Sequence, residues 1–139
     1  MRSLLFFLLS LPVLLMAQQT NDQNKSLSSD PDSVIYTMVQ EMPQFGINNN
    51  DLQKFISEES KIKTSPTRTQ NSINVFVQVI IEKDGSVTFD KIVKGDDKKK
   101  KYNKEAQRIA ENMPDWSIGR MDDIKPVRVA IMFPIWFIE

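Results

Sequence analysis

The sequence contains neither cysteine nor histidine, and these two absences exclude most common catalytic and metal-binding sites. Without cysteine there is no disulfide and no thiolate nucleophile, so a packed core must stabilise the fold. Without histidine the usual catalytic triads and most zinc sites are excluded. The four glycines do not form a phosphate-binding loop. The sequence therefore predicts a protein that is not an enzyme and that binds no cofactor and no metal.

The chain also lacks an excess of charge of either sign, because 18 Lys and Arg residues balance 18 Asp and Glu residues. A balanced charge argues against nucleic acid as a partner, since binding to phosphates requires a basic surface. Adjacent carboxylates occur at Asp96 with Asp97 and at Asp122 with Asp123. Both pairs lie in polar segments where neither carboxylate is expected to be buried. We therefore expect no small-molecule substrate.

The N-terminus has the pattern of a secretory signal peptide. Met1 and Arg2 precede an apolar run from Leu4 to Leu15, and Ala17 provides a small residue for cleavage. The run is shorter than the roughly 20 residues of a spanning helix. This favours a cleaved signal, residues 1–17, and a periplasmic protein over an inner-membrane anchor made by an uncleaved signal.

Two regions follow the predicted signal. Residues 18–30 are almost entirely polar and bury too little apolar surface to offset the entropy of ordering, so they are predicted to be a flexible leader. Residues 31–139 are long enough for one domain with one core.

The first part of this domain predicts one strand and one helix. A β-rich run from Val34 to Val39 ends before Pro43. A helix is indicated by Asn50 as N-cap, by Asp51 in the first turn and by an apolar stripe. The stripe consists of Leu52, Phe55 and Ile56. The helix is expected to end near Glu59 or Ser60, and residues 61–72 read as a loop.

A hairpin is the clearest local signal. Apolar residues alternate from Ile73 to Ile81, and Asp84-Gly85 forms a turn pair before a return strand over 86–94. The apolar residues of the return strand change phase midway, which predicts a bulge near Asp90 and Lys91.

A second helix and a final strand complete the pattern. The helix is predicted to start at Asp96 or Asp97 and to end before Pro114. Its expected buried stripe is Tyr102, Ala106, Ile109, Ala110 and Met113. Residues 115–125 read as a connection to a final strand in which every second residue from Val127 to Phe137 is apolar.

This order predicts an α+β fold in two layers. A small antiparallel sheet of about three strands, with a possible N-terminal fourth, would carry both helices on one face. Pro134 cannot donate to a ladder, so the final strand is expected at the edge of the sheet. An exposed apolar edge strand promotes aggregation unless another segment covers it or a partner binds it. One such partner is an extended peptide that adds to the sheet as a further strand. The predicted peptide-binding residues are Val127, Arg128, Val129, Ala130, Ile131, Met132, Phe133, Pro134, Ile135 and Trp136.

Four stretches together resemble a known family. They are VIYTMVQEMPQF (34–45), VFVQVIIEKDGSVTFDKIVKG (75–95), KEAQRIAENMPDWSIG (104–119) and KPVRVAIMFPIWF (125–137). In this order the chain resembles the C-terminal domain of TonB-type energy transducers, in the form common in Bacteroidetes. The resemblance implies a periplasmic domain that captures the TonB box, an extended segment of outer-membrane TonB-dependent receptors, by strand addition. The sequence shows neither the retained transmembrane helix nor the Pro-rich spacer of a full transducer, so we expect binding without force transduction.

A second hypothesis uses the same edge differently. The protein would be structural or regulatory, and the final strand would pair with a second copy to give a homodimer without a transport role. Trp136, Met132, Phe76 and Ile80 share the second face of the predicted sheet. That face is either an exposed binding or dimer patch, or it is covered by residues 34–39.

Three further features have structural interpretations. Residues 98–101, four lysines, are interpreted as a solvated first helical turn rather than a site for an anionic surface. Trp116 is interpreted as a core residue rather than a ligand contact. Asp84 is assigned to turn formation rather than to metal binding.

Overall fold

A computed structural model describes residues 33–122 and 125–139, so the predicted signal peptide and polar leader lie outside the described residues. In chain order the elements are β1 (Ile35–Tyr36), α1 (Asp51–Glu59), β2 (Thr64–Ser65), β3 (Ser72–Ile81), β4 (Val87–Lys94), α2 (Lys100–Glu111), β5 (Gly119–Met121) and β6 (Lys125–Ile138). Two helices and one sheet confirm the α+β class, although the strands outnumber those predicted. Within the described ranges no helix combines the length and apolarity that crossing a membrane requires.

The sheet is built on a long antiparallel pair of strands. All ten residues of β3, from Ser72 to Ile81, pair with β6 from Ile138 back to Val129. The order of the main strands is β1-β6-β3-β4, while β2 and β5 also pair with β6. β1 runs parallel to β6, with Ile35 opposite Arg128. The sheet is therefore mixed rather than purely antiparallel.

The β3–β4 hairpin has the predicted turn and bulge. Gly85 has a φ of +89°, and the carboxylate of Asp84 accepts hydrogen bonds from the backbone and hydroxyl of Ser86 at 2.9 and 2.6 Å. This confirms the role of Asp84 in the turn. The register skips one residue of β4 at Asp90, as predicted, and a second at Val93.

The core lies between one face of the sheet and both helices. Val75, Val77, Val79 and Ile81 of β3 alternate with the sequence period of two and are fully buried. Against them pack Ile56 of α1 and the predicted stripe of α2, in which Met113 is only partly buried. Both helices thus share one face, as predicted.

Trp116 belongs to this core, which confirms its structural interpretation. Its ring meets Phe45 edge-on at 5.5 Å between centroids and lies 6.3 Å from Phe133. Only 7% of the residue is exposed. The loop that carries Phe45 is thereby held against β6.

The N-terminus of α1 matches the predicted position but uses a different side chain. Asn50 occupies the cap position without a side-chain capping bond. Instead, the Asp51 carboxylate accepts hydrogen bonds from the backbone N–H groups of Ile47 and Asn48 at 2.8 and 2.9 Å. These bonds, that from Asn48 first, hold the pKa of Asp51 below its ordinary value.

The prediction that α2 begins at Asp96 or Asp97 is wrong, since the helix begins at Lys100. The Asp96 carboxylate accepts hydrogen bonds from the backbone N–H groups of Lys98 and Lys99 at 2.9 and 2.7 Å. These bonds form a separate turn ahead of the helix. Asp96 is also tied to the helix itself, because its N–H donates to the Asn103 side chain at 3.0 Å.

Arg108 joins the two helices. Its guanidinium donates to the Glu59 carbonyl and carboxylate at the end of α1, at 2.6 and 2.8 Å. It also donates to both carboxylate oxygens of Glu105, at 2.7 and 3.1 Å. Glu105, which is 9% exposed, additionally accepts the backbone N–H of Lys61 at 2.7 Å. A buried carboxylate is tolerated here because its oxygens are paired.

Three short strands differ from the predictions. β1 comprises two residues rather than the whole of 34–39. β2 and β5 lie in segments that were predicted to be loops. Strands of two or three residues carry no periodicity, and here each exists because β6 offers it a backbone partner.

Replacing Gly85 by alanine is expected to destabilise the hairpin. The new Cβ would meet the backbone carbonyl oxygen of Trp116, and the positive φ disfavours any Cβ. We expect the free energy of unfolding to fall by about 1–3 kcal/mol in urea titrations. Gly95→Ala is the comparison, because φ there is not positive and the Cβ meets only the Asn103 side chain, so the loss should be smaller and confined to the hydrogen bonds between Asn103 and Asp96. An equal loss in both variants would contradict this account.

Glu105→Gln is expected to lower the free energy of unfolding only at pH values at which Glu105 is ionised. Arg108, followed by the Lys61 N–H, holds the pKa of Glu105 below its ordinary value of 4.5 in the folded protein. Because the folded pKa is the lower one, the stabilisation is complete above about pH 4.5 and is lost as the pH falls through the folded value. We expect a deficit of roughly 1.5–3 kcal/mol at pH 7. The urea midpoints of the two proteins should approach each other as the pH falls through the folded pKa of Glu105, and a difference that does not depend on pH would contradict the assignment.

Candidate peptide-binding edge

The two sides of β6 are paired to very different extents. On the inner side β3 covers Val129 to Ile138 without interruption. On the outer side β1 pairs with Arg128 and Val129, and β2 pairs with Trp136 and Phe137. No described strand pairs with the outer side between these two. We call residues 130–135 of β6 the edge window.

The prediction that β6 is an edge strand is thus corrected, because β6 lies inside the sheet and only this window is open. Of the ten predicted site residues, six lie in the window: Ala130, Ile131, Met132, Phe133, Pro134 and Ile135. The other four, Val127, Arg128, Val129 and Trp136, pair with β5, β1 or β2. β2 has no sequence signal, and the β-rich run over 34–39 that contains β1 does not indicate which strand β1 pairs with.

Alternation of the backbone decides which groups of the window point outward. The N–H of Ile138 donates to the carbonyl of Lys63 beside β2, so even-numbered residues direct their N–H and C=O groups outward. Met132 therefore presents a complete donor and acceptor pair to solvent. Ala130 offers only its carbonyl, because the parallel pairing of Tyr36 with Val129 uses the Ala130 N–H. Odd-numbered residues bond to β3.

Pro134 is compatible with an interior strand for the same reason. It pairs with Phe76 of β3 but belongs to the outward-facing set, so the ladder with β3 loses no hydrogen bond. The proline was a correct indicator of an open side. It was a wrong indicator of an edge strand, because one residue reports on one side of a strand only.

The other open edge of the sheet, along β4, is protected against strand addition. Its two bulges, at Asp90 and Val93, interrupt the regular backbone spacing. Lys91 and Lys94 add exposed charge. Bulges and lysines are common protections of edge strands. The edge window contains neither a bulge in its pairing with β3 nor a charged residue.

The sheet face opposite the helices is partly apolar. We call it the open face, and its paired rows are Asn74–Trp136, Phe76–Pro134, Gln78–Met132 and Ile80–Ala130. Met132 is 56% exposed, while Trp136, Phe76 and Pro134 are half-buried. The alternative that residues 34–39 cover this face is not supported at Val39, which packs on Val127 and Val129 on the helix side.

An ion pair closes one end of the open face. Arg128 donates to both carboxylate oxygens of Glu82, at 2.7 and 3.1 Å, and Thr88 donates to the same carboxylate at 2.9 Å. Arg128, and to a smaller extent Thr88, hold the pKa of Glu82 below its ordinary value. This group is already satisfied, so we assign it to the stability of the sheet end.

Other surface features give no catalytic constellation. Among the described residues no three His, Cys, Asp or Glu side chains come close enough to hold a metal ion. A cleft of about 190 Å³ lies beside Trp116, between Pro43, Phe45 and Leu52. Its lining carries no titratable side chain. The edge window is therefore the candidate binding site.

Amide hydrogen exchange should reveal the alternation along the window. Met132 directs its N–H group to solvent, while those of Ile131, Phe133 and Ile135 bond to β3. We expect the Met132 amide to exchange at least about a hundredfold faster than these three in NMR measurements, because the others require opening of the sheet. Equal protection of Met132 and its neighbours would mean that another segment covers the window.

Comparison with known proteins returned no match, whether with family models, with curated proteins or with solved structures.

Proposed function

We propose that the protein is a non-enzymatic periplasmic binding module that captures a short extended peptide along the edge window, with the peptide added to β6 as a further strand. One observation carries the proposal: an uncharged stretch of β6, from the Ala130 carbonyl to the Pro134 carbonyl, has no described strand on its outward side, while strands occupy the edge on both sides of it. The sheet thus already accepts short strands at this edge.

The length of the window suits a peptide. Six residues at about 3.3 Å each span roughly 20 Å, which is room for five or six residues of an added strand. Main-chain bonds to both groups of Met132 and to the carbonyls of Ala130 and Pro134 would provide affinity. Side chains of the peptide on the open-face side would lie beside Met132, so an apolar residue is favoured there.

The resemblance of the sequence to TonB C-terminal domains supplies the class of partner. We propose that the peptide comes from the periplasmic N-terminal segment of an outer-membrane TonB-dependent receptor, and that the module acts in TonB-dependent transport. Capture of another extended peptide would use the same backbone groups. Force transduction is not part of the proposal.

Self-association through the same window is disfavoured by the flanking strands. A second copy would bring a β6 of 14 residues with its own β1 and β2 attached. In an antiparallel arrangement centred on the window, residues 136–137 of one copy would fall where β1 of the other copy lies, and residues 128–129 would fall where its β2 lies. A free peptide avoids this conflict because its ends can leave the sheet.

Met132→Pro tests the site by removing one outward N–H without removing a bond to β3. We expect receptor-segment peptides to shift the NMR signals of 130–135 in the parent protein, and Kd to rise about five- to thirtyfold in Met132→Pro, since one or two kcal/mol of hydrogen bonding is lost. Met132→Leu, which keeps the N–H and an apolar side chain, should bind like the parent.

The titration also separates the alternatives. Peptide-induced shifts along β4 instead of β6, or unchanged affinity in Met132→Pro, would refute the site. Absence of any shift, together with linewidths of a dimer, would favour self-association.

A further inference from the structure

The open face is less polar than a solvated sheet face usually is. Antiparallel sheets with one face in water generally alternate apolar and polar residues along each strand. β6 instead presents Ala130, Met132, Pro134 and Trp136 in succession on this face. Ile35 of β1, which is 42% exposed, extends this apolar strip beside Arg128.

Lysines border the strip on the side of β4. Lys94 pairs with Phe76, and Lys91 pairs with Gln78, so both share the rows of Pro134 and Met132. Directly paired residues of neighbouring strands project from the same face of a sheet. Both lysines are exposed.

More lysines gather at the end of the sheet that carries Trp136. Residues 91–104 contain seven lysines and two aspartates, although the whole chain is neutral. An ion pair between Lys99 and Glu139 holds the turn that precedes α2 beside the end of β6. Lys91 and Lys94 lie on the open face, where the Asp90 carboxylate accepts a hydrogen bond from the Gln78 side chain at 2.7 Å. Lys100 and Lys101 belong to α2 on the other side of the sheet.

We propose that the open face docks on an anionic phospholipid surface, with Trp136 and Met132 entering the headgroup region and Lys91 and Lys94 contacting lipid phosphates. Tryptophan prefers this interface because its ring is apolar and its N–H is polar. Basic residues near the surface each strengthen binding to anionic lipids.

The type of cation favours a lipid surface over a folded acidic partner. Lysines are point charges on flexible stems, which suit a fluid array of phosphates, whereas arginine suits fixed bidentate pairing. The arginine of this face, Arg128, is held by Glu82. The docking surface uses side chains of the open face and leaves the outward backbone groups of the edge window free, so it does not depend on the peptide-binding proposal.

The test is co-sedimentation of the exported protein with vesicles of phosphatidylcholine, either pure or containing one quarter phosphatidylglycerol by composition. We expect binding only to the anionic vesicles. Lys91→Glu with Lys94→Glu should weaken it at least about tenfold. The matched control is Lys54→Glu with Lys125→Glu, which changes the net charge equally at exposed positions elsewhere and should weaken binding less than about threefold.

The apolar contribution is tested separately. Met132→Ser should weaken binding, whereas Ile47→Ser, at a 93% exposed position outside the open face, should not. Fluorescence of Trp136 should shift to shorter wavelength on binding, and Trp136→Phe should remove that shift because Trp116 is already buried.

Three outcomes would overturn the proposal. They are equal binding to neutral and anionic vesicles, equal loss in the two double variants, and a concentration-dependent dimer that Met132→Ser dissociates in the absence of vesicle binding. The last would assign the strip to a second copy of the chain. Peptide titrations of the lysine variants distinguish this failure from failure of the edge window, because those variants leave the window intact.

Discussion

The ten-residue ladder between β3 and β6 is the interaction on which the rest of the structure depends. It places the alternating apolar residues of both strands on one face, where both helices cover them, and it pairs the inner side of β6 along most of its length. Because the domain has no disulfide, this ladder and the core on its helix side hold the fold together. Every shorter strand at the outer side of β6 attaches to a strand that β3 has already ordered.

The same alternation that buries the core produces the edge window. A residue in a strand directs its backbone N–H and C=O groups to one side only. The five odd-numbered residues from Val129 to Phe137 bond to β3 and are not available to a partner, whereas the even-numbered residues direct these groups outward. Pro134 lies in the outward-facing set, where its missing N–H limits what the window can bind rather than weakening the sheet. Affinity at this site would therefore rest on few backbone groups, which suits a reversible interaction with a short segment.

The two faces of the sheet differ in burial and in composition. On the helix side, the central apolar residues are buried, and the carboxylate of Glu105 is paired with Arg108 and with the Lys61 N–H. On the open face the apolar residues of β6 are partly exposed and lysines stand beside them. A peptide at the window and an anionic surface on the open face would lie next to each other, and a module of this kind could hold a peptide close to a membrane surface.

The sequence by itself determined the elements that have a period. The alternation of Val75 to Ile81, the Asp84-Gly85 turn, the phase change at Asp90 and the stripe of α2 from Tyr102 to Ala110 all follow from local patterns, and the structure confirms them. Tertiary structure alone decided where β6 lies in the sheet and which part of it is open. β1, β2 and β5 are too short to show a period and form only because β6 supplies their partner, so the boundaries of the window depend on contacts between residues far apart in the chain. The start of α2 was likewise decided by contact, since Asp96 can cap a helix or close a turn with equal chemistry, and Asn103 holds it in the turn.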